Sequence, residues 1–321
     1  MTEVKNKILI SPTSFGKCGN EPLDLLKKNN YEVILNPFGR KMTPEEVISL
    51  GGDCVGVVAG IESLNSTVLE SLPHLQCISR CGSGLDNIDI DKAKELEIEV
   101  KNTPEGPTRA VAELTIGLIL DLLRKISLRD RAIRIGKWNK EMGYLLKDKT
   151  VGVLGLGRIG RTVAELLLKL DVKVIGSDIH PDINWLDKTN ISLVSFKELL
   201  KKSDIICLHV SFSPKQNCLI GKNELSLMKK DSYLVNLSRG GVVDEVVLFN
   251  FLKNKHLAGA AIDVFIQEPY SGPLRKLENV VLTSHVGSYA RESRIQMEMD
   301  AVENLLEVLH GKLEAVENNI Y

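Results

Sequence analysis

Charge of one sign is what this 321-residue chain most plainly lacks: 41 Lys and Arg against 42 Asp and Glu leave a formal charge of −1. Nothing in that balance calls for nucleic acid or an anionic membrane as a partner. Long apolar runs are missing too. The longest, Ala110 to Leu123, is interrupted by Glu113 and Asp121. It falls short of the ~20 residues that a membrane span needs and reads instead as a buried helix. Met1 to Lys7 is polar, and Ile8-Leu9-Ile10 is too short for the core of a signal peptide. None of the six cysteines forms a C-x-x-C pair, and no histidine stands at zinc spacing from Cys77 and Cys81. Reduced core thiols are expected for Cys54 and Cys207, with no metal site, no structural disulfide and a cytoplasmic location. No serine elbow, internal repeat or low-complexity segment is present. A hydrolase driven by zinc or by a nucleophile is thereby left without its residues.

What is present is a glycine loop in the right setting. Thr150-Val151-Gly152-Val153-Leu154 reads as a buried strand, and Arg158 to Leu170 as a helix with Ile159, Val163, Leu166, Leu167 and Leu170 on one face. Between them stands Gly155-Leu156-Gly157-Arg158-Ile159-Gly160. Gly155 permits the tight turn, Gly157 lets backbone approach a pyrophosphate, and Gly160 lets helix and strand pack closely. The N–H groups at Arg158 and Ile159 then face the phosphates. A second strand, Val172 to Ser177, ends at Asp178, 18 residues past Gly160. That is near the spacing of the acid that binds ribose hydroxyls, and its charge favours NAD over NADP. A lone glycine pattern is weak, because ordinary turns use three glycines as well. The strand, helix and acid around this one supply the context that the fingerprint requires.

The rest of the chain alternates strand and helix. Lys7 to Ser11, Tyr31 to Leu35, Cys54 to Ala59, Gln76 to Ser79 and Ile98 to Val100 read as strands with helices between them. A long helix is expected from Pro107 to about Ile135, and more strands at Ile205 to Leu208, Tyr233 to Asn236, Ala258 to Ile262 and Val280 to Leu282. A last helix runs from about Ala290 to Leu309, with Gly311 as its cap. The expected class is α/β with two doubly wound parallel sheets. At the ends of late apolar runs stand a cation, Arg239, a carboxylate, Glu268, and a histidine, His285. Following a dinucleotide loop, this order describes hydride transfer to or from a substrate that bears a carboxylate. Each residue alone has an ordinary reading, as a surface arginine, a turn glutamate and a loop histidine. His74, His256 and His310 are assigned no chemistry, and Trp138 and Trp185 read as packing.

Taken together, these motifs resemble the D-isomer-specific 2-hydroxyacid dehydrogenases, most closely the phosphoglycerate dehydrogenase-like members. The resemblance rests on Arg80-Cys81-Gly82-Ser83-Gly84-Leu85-Asp86-Asn87-Ile88-Asp89, Asn102-Thr103-Pro104, Val111-Ala112-Glu113-Leu114, the glycine loop, Val235 to Gly241, Asp263 to Pro269 and Ser284 to Ser288. It implies an NAD-binding Rossmann domain, residues 103–288, inserted in a flavodoxin-like substrate domain, residues 1–102 plus 289–321. It also implies a homodimer joined through the long helix.

The resemblance implies roles as well. Arg239 grips the substrate carboxylate through two bonds and polarises the keto oxygen. His285 is acid in one direction and base in the other. Glu268 holds the imidazole and favours its protonated form. Gly82, Ser83 and Gly84 hold the carboxylate through backbone N–H groups. Asp263 contacts the nicotinamide amide. His209, Val210, Leu237, Ser238, Val286, Gly287 and Ser288 line the cofactor with Gly155, Gly157, Arg158, Ile159, Gly160 and Asp178. The substrate is a small 2-hydroxy or 2-keto acid, with 3-phosphoglycerate, hydroxypyruvate and glyoxylate in view, although Ala59-Gly60-Ile61-Glu62 offers no cation for a phosphate. A second reading, an NAD(H)-sensing corepressor-like protein, is disfavoured by the presence of all three polar residues.

Overall fold

A computed structural model describes residues 6–212 and 217–318. The chain splits into two compact units, Met1–Pro107 with Tyr289–Tyr321, and Thr108–Ser288.

The first unit alternates β1 (Lys7–Ile10), α1 (Glu21–Lys28), β2 (Glu32–Leu35), α2 (Pro44–Gly51), β3 (Cys54–Ala59), α3 (Ser66–Glu70), β4 (Cys77–Arg80), α4 (Ile90–Glu95) and β5 (Glu99–Asn102). All strands are parallel, in the order β2-β1-β3-β4-β5. Successive side chains of a strand point to opposite faces, and β1 shows this directly. Ile8 and Ile10 pack with Val58, Cys77 and the C-terminal-helix residues Val302 and Leu305, while Leu9 packs with Val47, Val57 and Ile78 on the other face. The helices begin where the sequence supplies caps. The Thr43 side chain accepts from Glu46 N–H in a capping box, and Asn65 and Asp89 cap α3 and α4.

The second unit carries seven parallel strands. After α5 (Gly106–Arg124) and α6 (Ile126–Arg134) come β6 (Thr150–Leu154), α7 (Arg158–Leu168), β7 (Lys173–Ser177), α8 (Ile183–Leu186), β8 (Ser192–Leu193), α9 (Phe196–Lys202), β9 (Ile205–Leu208), α10 (Lys222–Leu227), β10 (Tyr233–Asn236), α11 (Glu245–Lys253), β11 (Gly259–Ile262) and β12 (Val280–Leu282). The C-terminal helix, α12 (Arg291–Asn318), returns to the first unit. The sheet order is β12-β11-β10-β9-β6-β7-β8. Strand order reverses at β6 and β9, and at such a switch point the carboxyl ends of the strands leave a crevice for a ligand. Ile205 and Cys207 pack on one face of β9, Ile206 and Leu208 on the other. Both sheets are thus covered twice, the α/β class expected.

Three expectations are corrected. The long helix is two, because Lys125 adopts a left-handed conformation, φ +53°, between α5 and α6. Gly311 lies inside α12, which runs on to Asn318. An interior glycine weakens a helix by only ~1 kcal/mol, too little to end one whose apolar face is held by packing. Trp138 is 77% exposed on an irregular segment, so it does no packing within the chain. Trp185 does pack, partly buried, with its indole N–H donating to Glu165 at 2.9 Å. Cys54, Cys77, Cys81 and Cys207 are buried free thiols. Among the described residues no His, Cys, Asp and Glu group could hold a metal ion, and no helix is long and apolar enough to cross a membrane.

Candidate active site

The carboxyl ends of β10, β11 and β12 bring Arg239, Glu268 and His285 together. After β10, Asn236 accepts through Oδ1 from the Ser238 N–H at 3.1 Å and the Ser238 hydroxyl at 2.7 Å, a turn that asparagine favours. Its amide donates to Arg239 O at 3.2 Å, and the Arg239 guanidinium donates to Ser238 O at 2.8 Å. A Cβ on Gly240 would collide with Phe265 and Ile266 backbone, so this turn lies directly against the loop that carries Glu268. That loop is braced by Phe265 and Tyr270, whose rings stack at 4.2 Å, and by Glu245, which accepts from Ile266 N–H at 2.8 Å.

Glu268 accepts from Phe265 N–H at 3.0 Å through one oxygen and meets His285 Nδ1 at 2.9 Å through the other. Burial alone would raise its carboxyl. The bond and charge of His285, the Phe265 N–H and the charge of Arg239 outweigh burial and hold it below the usual glutamate range. The neighbouring Glu245 goes the other way, raised by burial and by Asp244 and Glu268. An ionised Glu268 is acceptor only, so His285 carries its proton at Nδ1. The His285 side chain is 45% exposed, which leaves Nε2 open to a substrate.

His285 is held in an unusual backbone state. Its φ is +54°, uncommon for a residue with a Cβ. Asp263, 1% exposed, imposes it. The Asp263 carboxylate accepts from the Thr283 hydroxyl at 2.6 Å, Val286 N–H at 2.8 Å and Gly287 N–H at 2.9 Å, while its carbonyl accepts from His285 N–H at 2.8 Å. Asp263 therefore clamps the turn that presents the histidine. Asn236, Glu245 and Thr283 also hold these turns, and sequence reading did not single them out. For Asn236 the signal was available in Asn-x-Ser after a buried strand.

The glycine loop fits a dinucleotide. Gly155 has φ +89°, and a Cβ there would strike the His209 carbonyl. A Cβ on Gly160 would strike Gly155 O, so helix and strand meet at van der Waals distance. Nothing lies within 4 Å of the Cβ position of Gly157, whose backbone stays open to an approaching phosphate. Arg158 and Ile159 open α7. Asp178 accepts from Leu156 N–H at 2.5 Å and His180 N–H at 2.7 Å, which fixes the carboxylate at the end of β7 beside the loop. Leu237 and Val210 lie in the packing around these strand ends, and Val286, Gly287 and Ser288 follow His285. His209, at the end of β9, has both ring nitrogens buried without a partner. Burial pushes its imidazole down to about 4, so the ring is neutral and offers one donor and one acceptor to whatever fills the crevice.

In the first unit, Gly82 turns at φ +136° after β4. Its N–H donates to the Thr103 hydroxyl at 2.7 Å and its carbonyl accepts from Thr103 N–H at 3.1 Å. The Gly82 N–H is thus engaged internally. The Asn102 side chain donates to Ser83 O at 2.8 Å, which orients the following peptides at Ser83 and Gly84.

Known proteins resemble this chain in sequence and in fold. The family model for the D-isomer specific 2-hydroxyacid dehydrogenase, NAD binding domain, matches residues 116–287. D-3-phosphoglycerate dehydrogenase of Archaeoglobus fulgidus is 36% identical over 296 residues, covering 91% of this chain and 56% of the relative. The chain thus spans about half the length of that relative. Glyoxylate reductase of Thermofilum pendens is 41% identical over 263 residues, 78% of this chain and 77% of the relative. The solved structure of TT0316 protein from Thermus thermophilus superposes with a TM-score of 0.86 at 32% identity, over 95% of this chain and 97% of that one. The chain belongs to the D-isomer specific 2-hydroxyacid dehydrogenase family, NAD-dependent oxidoreductases that act on CH–OH donors, and carries its NAD-binding domain.

Proposed function

We propose that this chain interconverts a D-2-hydroxy acid and its 2-keto acid. The observation that carries the reading is the 2.9 Å Glu268–His285 bond in a turn adjoining Arg239. Arg239 suits the substrate carboxylate, which it grips through two parallel bonds, and it stabilises charge that develops on the keto oxygen. His285, its Nδ1–H held by Glu268, gives a proton from Nε2 to that oxygen in reduction and takes it back in oxidation. Glu268 fixes the ring and balances the imidazolium that forms when the alcohol is oxidised. NADH, when bound, supplies the hydride. Gly155, Gly157, Arg158, Ile159, Gly160, Asp178, His209, Val210, Leu237, Ser238, Val286, Gly287 and Ser288 would hold the cofactor, and Ser83 and Gly84, placed by Gly82, would bind the substrate. The substrate domain is residues 1–102 with 289–321, the cofactor domain 103–288. The test is NADH oxidation with pyruvate, glyoxylate, hydroxypyruvate and phosphohydroxypyruvate. Absence of turnover with all four, while NADH binds, would favour a sensor instead. The relatives reported above bear enzyme names, which supports catalysis.

Asp178 gives this reading a cofactor preference. A carboxylate fixed by two backbone N–H groups accepts ribose hydroxyls and repels a 2′-phosphate. Asp178→Ala is expected to weaken NADH and to narrow its advantage over NADPH about tenfold, a change of about 1.4 kcal/mol. Fluorescence titration with both cofactors checks it, and an unchanged ratio would remove Asp178 from the role.

The protein is also proposed to be a homodimer. Ile126, Ile133, Ile135, Trp138, Met142 and Leu145 are each 56–90% exposed within one short stretch, and grouped apolar exposure marks an association surface. Light scattering should give twice the chain mass, and Trp138→Asp should shift it toward one; a monomeric wild type would refute the proposal. The buried free thiols suit a reducing compartment, and we place the protein in the cytoplasm.

A further inference from the structure

Leu156, between the first two glycines of the loop, is fixed at three points. Its side chain lies over Gly176 of β7, where a Cβ would come within 2.8 Å of it. Its N–H donates to Asp178 at 2.5 Å. Its carbonyl accepts from Arg161 Nε at 3.0 Å. Arg161 stands in the first turn of α7, one residue past Gly160, and its own N–H donates to Gly157 O at 2.9 Å. The three glycines of the fingerprint have steric tasks, and none of them calls for an arginine here.

The bond to the Leu156 carbonyl sets the next peptide. A trans peptide is planar, and its C=O and N–H point to opposite sides. Turning the Leu156 carbonyl onto Arg161 therefore sends the Gly157 N–H the other way. Among the described residues that N–H meets no acceptor, and nothing lies within 4 Å of the Gly157 Cβ position. Gly157 is also the N-cap of α7, without a side-chain cap, so the peptide opens at the positive end of the helix. The arginine is itself pinned. Its Nη1 donates to Asp182 at 2.7 Å, and the other Asp182 oxygen accepts from Trp185 N–H at 3.1 Å as the cap of α8. The Trp185 ring centre lies 5.7 Å from the guanidinium, within reach of a cation–π contact. Its indole N–H donates to Glu165, one turn along α7 from Arg161. Only a planar fork offers separate nitrogens, Nε and Nη1, to the carbonyl and the carboxylate in fixed geometry.

We infer that Arg161 is a positioning residue for the dinucleotide: it holds the Leu156–Gly157 peptide so that the Gly157 N–H is offered to the pyrophosphate, and Asp182 holds the arginine in that task. This rests on the glycine loop as the cofactor site and adds a residue that the fingerprint omits. With Nε and Nη1 both engaged inside the chain, the arginine acts through the peptide rather than as a counter-charge to the phosphates.

The experiment measures Kd for NADH by fluorescence titration, and Tm, for the wild-type protein, Arg161→Met and Arg161→Lys. Methionine keeps an unbranched stem and removes both bonds, so Kd should rise about tenfold. Lysine keeps the charge but lacks the fork, and its Kd should rise as well. KM for NADH should follow Kd, while kcat at saturating NADH changes by less than about twofold, since the arginine touches no reacting group. A residue that only braced the fold would lower Tm and leave Kd unchanged below the transition. An unchanged Kd in Arg161→Met would overturn the inference, and so would wild-type affinity in Arg161→Lys, because charge alone would then suffice. The lysine variant carries the test where methionine does not fold. NADH that failed to bind the wild-type protein would overturn the cofactor site and this inference with it. Absent keto-acid turnover with the Kd shifts intact would overturn the dehydrogenase reading and leave the inference standing.

Discussion

His285→Ala is expected to lower kcat/KM for keto-acid reduction by about 10²–10⁴-fold, the usual contribution of a positioned proton donor. NADH should still bind with near wild-type affinity, because the glycine loop and Asp178 lie on other strands of the sheet. The argument starts from the 2.9 Å bond between His285 Nδ1 and Glu268. That bond leaves Nε2 as the acid, and alanine removes it without touching the Asp263 clamp, which uses the backbone N–H groups of residues 285, 286 and 287 and the Thr283 hydroxyl. Alanine also relieves no burial penalty, since the side chain is 45% exposed. Stopped-flow reduction together with fluorescence titration of NADH separates the two effects. Retained turnover, or a lost affinity for NADH, would each place the acid elsewhere.

Most of the strands were legible because they are short apolar runs closed by a polar residue or glycine at the carboxyl edge, and in parallel sheets both faces are covered. The glycine loop was legible for a steric reason that acts locally: Gly155 needs a positive φ, and Gly160 has no room for a Cβ. What stayed hidden depends on tertiary partners. Nothing about Lys125 announces a left-handed residue, and only the structure shows that it divides α5 from α6. Gly311 carries the composition of a cap, yet α12 continues to Asn318, because one interior glycine weakens a helix by only about 1 kcal/mol. Glu268 and His285 stand 17 residues apart, and their bond follows from the parallel neighbours β11 and β12 delivering two loops to one edge. Short elements such as α8 and β8 fell below what periodicity resolves.

Asp263 is expected to be as intolerant as the histidine, for a different reason. Resemblance gives it a contact with the cofactor's amide, but its carboxylate already accepts three hydrogen bonds within the chain. Oδ1 takes the Thr283 hydroxyl and Val286 N–H, and Oδ2 takes Gly287 N–H. Bonds to a charged acceptor contribute about 1.5–3 kcal/mol each, and a buried donor left unpaired is itself costly. Asparagine is isosteric, yet it cannot satisfy this set. Whichever way its amide turns, one position becomes an NH2 group facing a backbone N–H, donor against donor. Asp263→Asn should therefore destabilise the protein by about 3 kcal/mol, read as a fall in Tm of about 6–12 °C for a unit of this size. Turnover should fall by about 10²-fold even below the transition, because a displacement of about 1 Å at a catalytic group has that effect. The route is the backbone of His285: its φ of +54° persists only while its neighbours hold it. Released from Val286 and Gly287, the turn relaxes and the imidazole leaves Glu268. Calorimetry and steady-state kinetics on Asp263→Asn and Asp263→Ala test this. If asparagine restored wild-type Tm and kcat where alanine lost both, the site would need shape and not charge, and the clamp described here would be wrong.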